Sequence, residues 1–353
     1  MGCFNVDDLF SIIREQTPYL NFVNTIKSAS SIKTYSRCLA GYIKFRQSEI
    51  LENLLAENSR STEASIMSYV VRLKNEQGLS YAARNTILSS IKHFYRMNDV
   101  EMINWYKVAK VLGENNRRVL NKRPYTREEI QKMLAIADLR MRMVILLLAS
   151  TGMGIGALNN IVLRNIQRIP EYSSHRITIY EGSGEEYYTF CTPECSLAID
   201  SYLQYRERCG EKLAPSSPLI RKEFDKGDSY KIHNAKKMIT ESIGVLIIGI
   251  IYTSGIQQEE HQTENSIKGS IRKDAPRAHA FRIFFNTMMV KQKVSAEARQ
   301  MLMGHTLGLN DAYYKPSSND ILLAYLKAVD MLTINEVFRH SSKFLFAKCD
   351  SPY

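Results

Sequence analysis

Four side chains of the kinds that bind or attack a phosphate group lie near the C-terminal end of the sequence. His279 and Arg282 are three residues apart, so on a helix they share one face. His305 follows a glycine, and Tyr314 comes nine residues after it. An arginine holds a phosphate with its planar fork of N–H donors, and a tyrosine phenol is a nucleophile that can form a covalent intermediate.

The chemistry that needs these types is attack on a phosphodiester. The tyrosine would form a phosphotyrosine link and release a free hydroxyl, and the retained bond energy would allow rejoining without a cofactor. Arginine and histidine would stabilise charge on the pentacoordinate phosphorus. The sequence has no evident acidic metal cluster, so we expect no metal and no cofactor. Each of these residues alone has a structural explanation: a single His or Arg on a helix is usually structural, and Tyr313–Tyr314 could be core aromatics. The four residue types in this order are much rarer than any one of them.

The pattern around these residues predicts two helices. The first carries His279 and Arg282 on one face, and its other side is anchored by apolar residues: Phe281, Phe284, Phe285 and Met288. The second begins after Ser295, a favoured N-cap residue, and ends at Gly304. That ending places His305 at a turn.

Three other segments have clear signals. Residues 141–152, "MRMVILLLASTG", predict a buried helix that ends at a glycine. Residues 175–193, "HRITIYEGSGEEYYTFCTP", predict a β-hairpin with Gly182 and Gly184 in its turn. The most apolar run, residues 243–252, is too short to span a bilayer and predicts a buried helix or strand.

The first third of the chain has the pattern of short amphipathic helices, and a basic segment follows it. The polar face of one helix carries Lys92 and Arg96, with Ser89, Ser90 and His93, and it either contacts a DNA backbone or is simply solvated. Residues 113–126 predict an interdomain linker, in which Thr126 forms a capping box with Glu129. We expect the linker cations to follow phosphates, the alternative being solvation. These cations are Arg117, Arg118, Lys122 and Arg123.

The composition agrees with a two-domain protein that binds a polyanion. The 353 residues and 44% apolar content suffice for two cores. A net charge of +11 and a pI near 9.2 favour nucleic acid or an anionic membrane surface as a partner, or else an ordinary basic surface. The six cysteines lack zinc-type spacing and no secretory signal opens the chain, so we expect reduced thiols in an intracellular protein.

These motifs together resemble the signature of the tyrosine recombinases, or phage-type integrases. The signature consists of "HAFR", then "LMGH", then a tyrosine nine residues on. In addition, "STGMGIGAL" resembles the first arginine box of that family, and "LMGHTLGLNDAYYKP" is most similar to integrases of archaeal mobile elements. The resemblance covers almost the whole chain.

The resemblance implies a mainly α fold with a small β-sheet. It implies a helical, SAM-like core-binding domain (1–112), a basic interdomain linker (113–126), an α+β catalytic domain (127–330) and a C-terminal tail (331–353). It also implies a C-shaped clamp around double-stranded DNA, with four protomers at a synapse, in a cytoplasmic, DNA-associated protein with no membrane partner. After the tyrosine, an amphipathic segment would pack on a neighbouring protomer or on its own domain.

The resemblance also assigns roles to individual residues. Tyr314 would be the nucleophile, with Tyr313 as the fallback. Arg282 would clamp the scissile phosphate. His279 would hydrogen-bond that phosphate and help to deprotonate the tyrosine, and His305 would donate another hydrogen bond.

Two side chains that the family uses are missing. Gly154 occupies the position of the first-box arginine, unless it is there only for its backbone freedom, and Gly184 occupies the expected position of the hairpin lysine. Losing a charge-stabilising donor costs on the order of a hundred- to a thousandfold in rate, and losing a general acid roughly a hundred- to ten-thousandfold, although such losses need not add. Arg164 or Arg176 are candidate substitutes.

Two functions remain open on these grounds. One is site-specific DNA recombination or integration, weakened by the two losses. The other is a catalytically inactive, DNA-binding relative that acts as an accessory or regulatory protein, or is a decaying mobile-element copy. A DNA-binding protein unrelated to strand transfer would require the motif order to be coincidence.

Overall fold

The computed structural model describes residues 11–113, 123–256, 278–308 and 313–339. The chain divides into two compact units. The first contains the described residues up to Gly113, and the second contains the described residues from Arg123 onward.

The first unit is helical, as the amphipathic patterns predict. Its helices are α1 (Thr17–Asn24), α2 (Ala29–Arg46), α3 (Leu51–Leu55), α4 (Ser59–Asn75), α5 (Tyr81–Met97) and α6 (Trp105–Lys110). Inward-facing residues at helical spacing, such as Ile66 and Val70 of α4, are fully buried in one apolar core.

The polar face of α5 is only partly a surface. Ser90 is fully buried and donates to the carbonyl of Tyr35 at 2.8 Å. The Nε2 atom of His93 lies 3.1 Å from the carbonyl oxygen of Phe22. The expectation that Ser90 lies on an exposed face was wrong, because its hydroxyl is hydrogen-bonded to the backbone of a neighbouring helix. His93 is half-buried.

The second unit combines helices with one small sheet. Its helices are α7 (Arg127–Ile136), α8 (Leu139–Thr151), α9 (Pro193–Arg208), α10 (Ser229–His233), α11 (Thr240–Thr253), α12 (Ala278–Lys291), α13 (Ala296–Leu302), α14 (Ser318–Leu326) and α15 (Val329–Leu332). Short 3₁₀ helices cover Ile155–Asn160, Leu163–Asn165 and Pro170–Tyr172. The strands are β1 (Ile166–Ile169), β2 (Ser174–Ile179) and β3 (Tyr187–Phe190).

The sheet is antiparallel, in the order β1-β2-β3. In the β2–β3 hairpin, Ile179 pairs with Tyr187 and Arg176 pairs with Phe190. The predicted hairpin is confirmed, and so is the fold class, mainly α with a small sheet.

Helix α8 lies at the centre of the second unit. Its side chains from Arg140 to Thr151 are buried except Arg142, and Gly152 ends it in the left-handed conformation, as predicted. The predicted capping box of Thr126 and Glu129 begins α7. The apolar run 243–252 is helical, in α11, but Val245 and Tyr252 on one face are exposed.

No helix within the described ranges, α11 included, is long and apolar enough to cross a membrane.

The end of α15 and the residues that follow it pack on their own unit. Leu332 and Ile334 are buried in the core. The Ile334 amide donates to the Glu194 carboxylate at 2.8 Å, and Arg127 donates to the Met331 carbonyl at 2.6 Å. The chain from Met331 to Ile334 is therefore docked in its own domain.

A buried carboxylate joins two arginines beneath the loop that follows α9. Glu211 accepts from Arg206 Nε at 3.0 Å and also from Arg221, and all three side chains are almost inaccessible. Arg221 donates further to the Ile232 carbonyl at 3.1 Å, which fixes the loop leading to α11. Burial raises the pKa of Glu211, but the hydrogen bonds and charges of the two arginines outweigh it, so its pKa lies below the ordinary value.

We predict that Glu211→Gln lowers the free energy of unfolding of the second unit by about 3–5 kcal/mol, because two guanidinium groups are left buried without a counter-charge. Because the folded pKa of Glu211 is lowered, its contribution is present above about pH 4 and is lost as the pH falls through the folded pKa. Denaturant unfolding followed by circular dichroism measures the effect, since the single tryptophan, Trp105, reports only the first unit.

Glu207→Gln, at an exposed position of α9, is the matched control and should have little effect. Equal stability of the two variants would contradict the importance of the buried network.

Candidate active site

Arg282 joins three elements at the centre of the candidate site. It lies near the start of α12, and its guanidinium donates to the carbonyl of Gly152 at 2.8 Å and to that of Met303 at 2.7 Å. Gly152 ends α8 and Met303 ends α13. Because both acceptors are backbone groups at helix ends, the plane of the guanidinium has a defined orientation.

His305 is in direct contact with this arginine. Its Nε2 atom lies 2.6 Å from an amino nitrogen of Arg282. A guanidinium can only donate, so Nε2 accepts and the imidazole is neutral, with its proton on Nδ1. Partial burial and the positive charge of Arg282 both lower the pKa of His305.

Two glycines allow the chain segments to approach each other at this point. Gly152 has φ +65°, and a Cβ there would lie 2.3 Å from the Phe285 ring. Gly304 has φ +70°, and a Cβ there would lie 2.4 Å from the Tyr187 ring. Both the backbone conformation and the space therefore require glycine at these two positions.

The two glycines at the expected arginine and lysine positions are different. Gly154 is the N-cap of the 3₁₀ helix Ile155–Asn160, with φ −74° and ψ 150°, which any residue can adopt. A Cβ at Gly154 or at Gly184 would meet nothing within 4 Å. Neither the backbone at Gly154 nor the space at either position requires glycine, so backbone freedom does not explain Gly154.

The two candidate substitute cations are engaged elsewhere. Arg164 is paired with Glu181, with Nε 2.9 Å from the carboxylate. The guanidinium carbon of Arg176 lies 4.2 Å from the centre of the Tyr188 ring. Arg164 is thus in an exposed ion pair with a residue of the hairpin turn, and Arg176 lies against an aromatic ring of the sheet.

The remaining predicted catalytic residues lie in the same unit. His279 is exposed in the first turn of α12, one turn before Arg282. Tyr313 is 91% exposed and Tyr314 is 41% exposed, so neither is a core aromatic. Tyr314 lies three residues before Ser317, which caps α14. The structure thus brings Arg282 and His305 together, while Tyr313 and Tyr314 remain on the surface.

The predicted DNA-binding cations are distributed over both units. Lys92 lies with its ammonium 5.8 Å from the centre of the Trp105 ring, and Arg96 is exposed in the last turn of α5. Arg123 forms a two-point ion pair with Glu129, at 2.7 and 2.8 Å. Three others lie outside the described residues: Arg117, Arg118 and Lys122.

A residue of the site that the sequence analysis missed is Tyr187. It is the first residue of β3, its ring packs against the backbone of Gly304, and its hydroxyl is near enough to Arg282 for that charge to oppose the effect of burial on its pKa. Alternation along the strand is the signal that could have found it. Thr189, two positions on, is fully buried and donates to the Thr151 carbonyl at 3.3 Å, beside Gly152, so this face of β3 is directed at the end of α8.

Among the residues that the structure describes, no three His, Cys, Asp or Glu side chains are grouped so that they could hold a metal ion.

Comparison of the sequence with protein-family models and with curated proteins finds no match. Solved structures do match. The XerH site-specific recombinase bound to difH substrate, a pre-cleavage complex, shares 13% identity over 92% of this chain and 82% of that chain, with a TM-score of 0.55. The Tn1549 transposon integrase in complex with circular intermediate DNA shares 18% identity over 91% and 99%, with a TM-score of 0.53.

A lambda integrase dimer bound to a COC′ core site shares 12% identity over 89% of this chain and 97% of that chain, with a TM-score of 0.54. These three proteins are tyrosine recombinases or integrases. The chain therefore has the fold of the tyrosine recombinases.

The contact between Arg282 and His305 predicts a pH titration. In the free protein, His305 should titrate below the ordinary histidine value of about 6.5. Arg282→Met should raise the pKa of His305, because a neighbouring positive charge is removed. Inorganic phosphate should raise it in the unaltered protein, because the bound anion offsets Arg282.

NMR titration of the imidazole signals measures these shifts, and His305→Asn assigns the signal. Arg168→Met, which removes an exposed arginine of β1, serves as the control and should leave the His305 pKa unchanged. A His305 pKa that does not respond to Arg282→Met would contradict the contact.

Proposed function

We propose that the protein carries out site-specific DNA recombination or integration, by cleaving and rejoining double-stranded DNA through a 3′-phosphotyrosine intermediate at Tyr314. The observation that carries this proposal is the contact of Arg282 with His305, in a fold whose solved examples include recombinases bound to their DNA substrates. The resemblance of "LMGHTLGLNDAYYKP" to archaeal mobile-element integrases supports an integrase of that kind.

In this mechanism Arg282 binds the scissile phosphate. Its guanidinium is held by two carbonyls, so its charge is oriented before the substrate arrives. A phosphate near Arg282 would make protonation of His305 more favourable, so that its Nε2 atom changes from acceptor to donor. His279, one turn earlier on α12, would donate to the same phosphate and assist the deprotonation of Tyr314.

The protein would act as several copies on DNA. Exchange between two duplexes requires cleavage of four strands, and each copy of the protein supplies one tyrosine. The reaction would therefore need a homotetramer at a synapse. The net charge of +11 supports binding to the phosphate backbone of DNA. Among the described residues, Lys92, Arg96 and Arg123 would contact phosphates. Arg123 would have to exchange Glu129 for a phosphate.

The missing cations favour a second candidate function. Gly154 leaves Arg282 without its expected partner, and the hairpin turn carries Glu181, Glu185 and Glu186 in place of a lysine. A protein that binds DNA without cutting it, as an accessory to an active integrase, would tolerate both changes. The surface position of Tyr314 supports the first candidate, since a nucleophile must reach its phosphate.

Covalent trapping tests the proposal. A pool of nicked duplexes, in which the cleaved fragment diffuses away, should yield a protein–DNA adduct on a denaturing gel. The adduct should be absent in Tyr314→Phe and retained in Tyr313→Phe. Gly154→Arg should form it faster, by on the order of a hundred- to a thousandfold, because a charge is restored where a side chain has space. Gly184→Lys should increase the rate further, but not multiplicatively.

Absence of an adduct in every variant, including Gly154→Arg with Gly184→Lys, would contradict the proposal and support the accessory function. If the adduct forms in Tyr314→Phe but not in Tyr313→Phe, the nucleophile is Tyr313.

A further inference from the structure

Two tyrosines of the β2–β3 hairpin lie near Arg282. Both are close enough to the guanidinium for its positive charge to lower their pKa values, against the larger effect of burial. Their ring centres are 6.3 Å apart. Tyr180 follows β2 with φ +56°, a conformation that is unusual for an aromatic residue and marks a constrained position.

The Tyr187 ring is fixed on its other side by the chain that delivers His305. It lies where a Cβ of Gly304 would be, with ring atoms within 2.4 to 2.8 Å of that position. The ring of Tyr187 is thus held against Gly304, the residue after Met303, whose carbonyl accepts from Arg282. It lies in the same unit as the proposed phosphate site.

The phenol proton of Tyr187 is available for transfer. Because a guanidinium has only donors, Arg282 cannot accept this proton in a hydrogen bond. Burial raises the pKa of Tyr187 to about 12, against the opposing effect of the Arg282 charge. The phenol is therefore protonated at neutral pH, as a proton donor must be.

The proposed reaction needs such a donor. Attack by Tyr314 on the phosphorus expels a 5′ oxygen, and an alkoxide is a poor leaving group unless it receives a proton. The hairpin position expected to supply the proton holds Gly184, which has no side chain.

We propose that Tyr187 is the general acid that protonates the leaving 5′ oxygen, an assignment that rests on the proposed strand cleavage. The bond from Tyr314 Oη to phosphorus forms, the bond from phosphorus to the 5′ oxygen breaks, and the Tyr187 proton passes to that oxygen to give a 5′ hydroxyl. The resulting tyrosinate is stabilised by Arg282. The proton lost by Tyr314 passes through His279 or water to the solvent. The solvent then reprotonates Tyr187, so no net proton is gained or lost.

A bridging-sulfur substrate tests this role. Two matched pools of nicked duplexes with random sequence around the scissile position carry either the natural 5′ oxygen or a 5′ sulfur. A 5′ sulfur leaves as a thiolate without needing a proton, because the pKa of the corresponding thiol is near 8.5. The measurements use Gly154→Arg protein, in which cleavage should be faster, and follow adduct formation over time.

We expect Tyr187→Phe to slow the adduct by about a hundredfold or more with the oxygen pool and by less than about threefold with the sulfur pool. Tyr188→Phe, one residue along on the other face of the strand, is the control and should leave both rates unchanged. Gly184→Lys should restore much of the rate of Tyr187→Phe with oxygen, since it supplies another acid.

Equal loss with both pools would show that Tyr187 only positions Arg282, and no loss with oxygen would show that it has no part. Either result overturns the general-acid role, while an adduct that depends on Tyr314 leaves strand cleavage intact. Absence of any such adduct with the sulfur pool overturns strand cleavage itself, and the role of Tyr187 with it.

Discussion

The candidate site depends on a guanidinium bound to two backbone carbonyls. Arg282 is tied to the end of α8 through Gly152 and to the end of α13 through Met303, which are 130 and 21 residues away in the chain. A charge held in this way costs little reorganisation when an anion binds, because the dipoles that orient it are already fixed. The same contacts bring His305 to the arginine, so that the protonation state of the histidine follows from the position of the arginine.

This arrangement explains two glycines that composition alone does not. Gly152 and Gly304 have positive φ, and in each case an aromatic ring occupies the space that a Cβ would need. The two rings are those of Phe285 in α12 and Tyr187 in β3, so a helix and a strand pack directly against the ends of α8 and α13. Any side chain at either glycine would separate the segments that Arg282 joins.

Local signals in the sequence predicted most elements of the second unit. The β2–β3 hairpin, the buried α8 and the Ser295 cap follow from turn residues, apolar runs and capping preferences, which act over a few residues. Tyr187 was missed because the segments around it, at Gly304 and Arg282, are distant in the chain. Alternation along β3 indicates which face of the strand it is on, but not which elements pack against that face. Similarly, Ser90 was assigned to a polar surface because its partner, the Tyr35 carbonyl, lies on another helix.

The two missing cations are not equivalent in the proposed mechanism. A lysine at position 184 would supply both a proton and a positive charge, and a neutral phenol at Tyr187 can replace only the proton. The missing charge at Gly154 is harder to replace, because Arg164 is paired with Glu181 and Arg176 packs over an aromatic ring. Charge stabilisation is usually the largest contribution to such a reaction. In the proposed mechanism the loss at position 154 therefore limits the rate. The proton transfer is replaced by Tyr187, whereas the second phosphate-binding cation is missing.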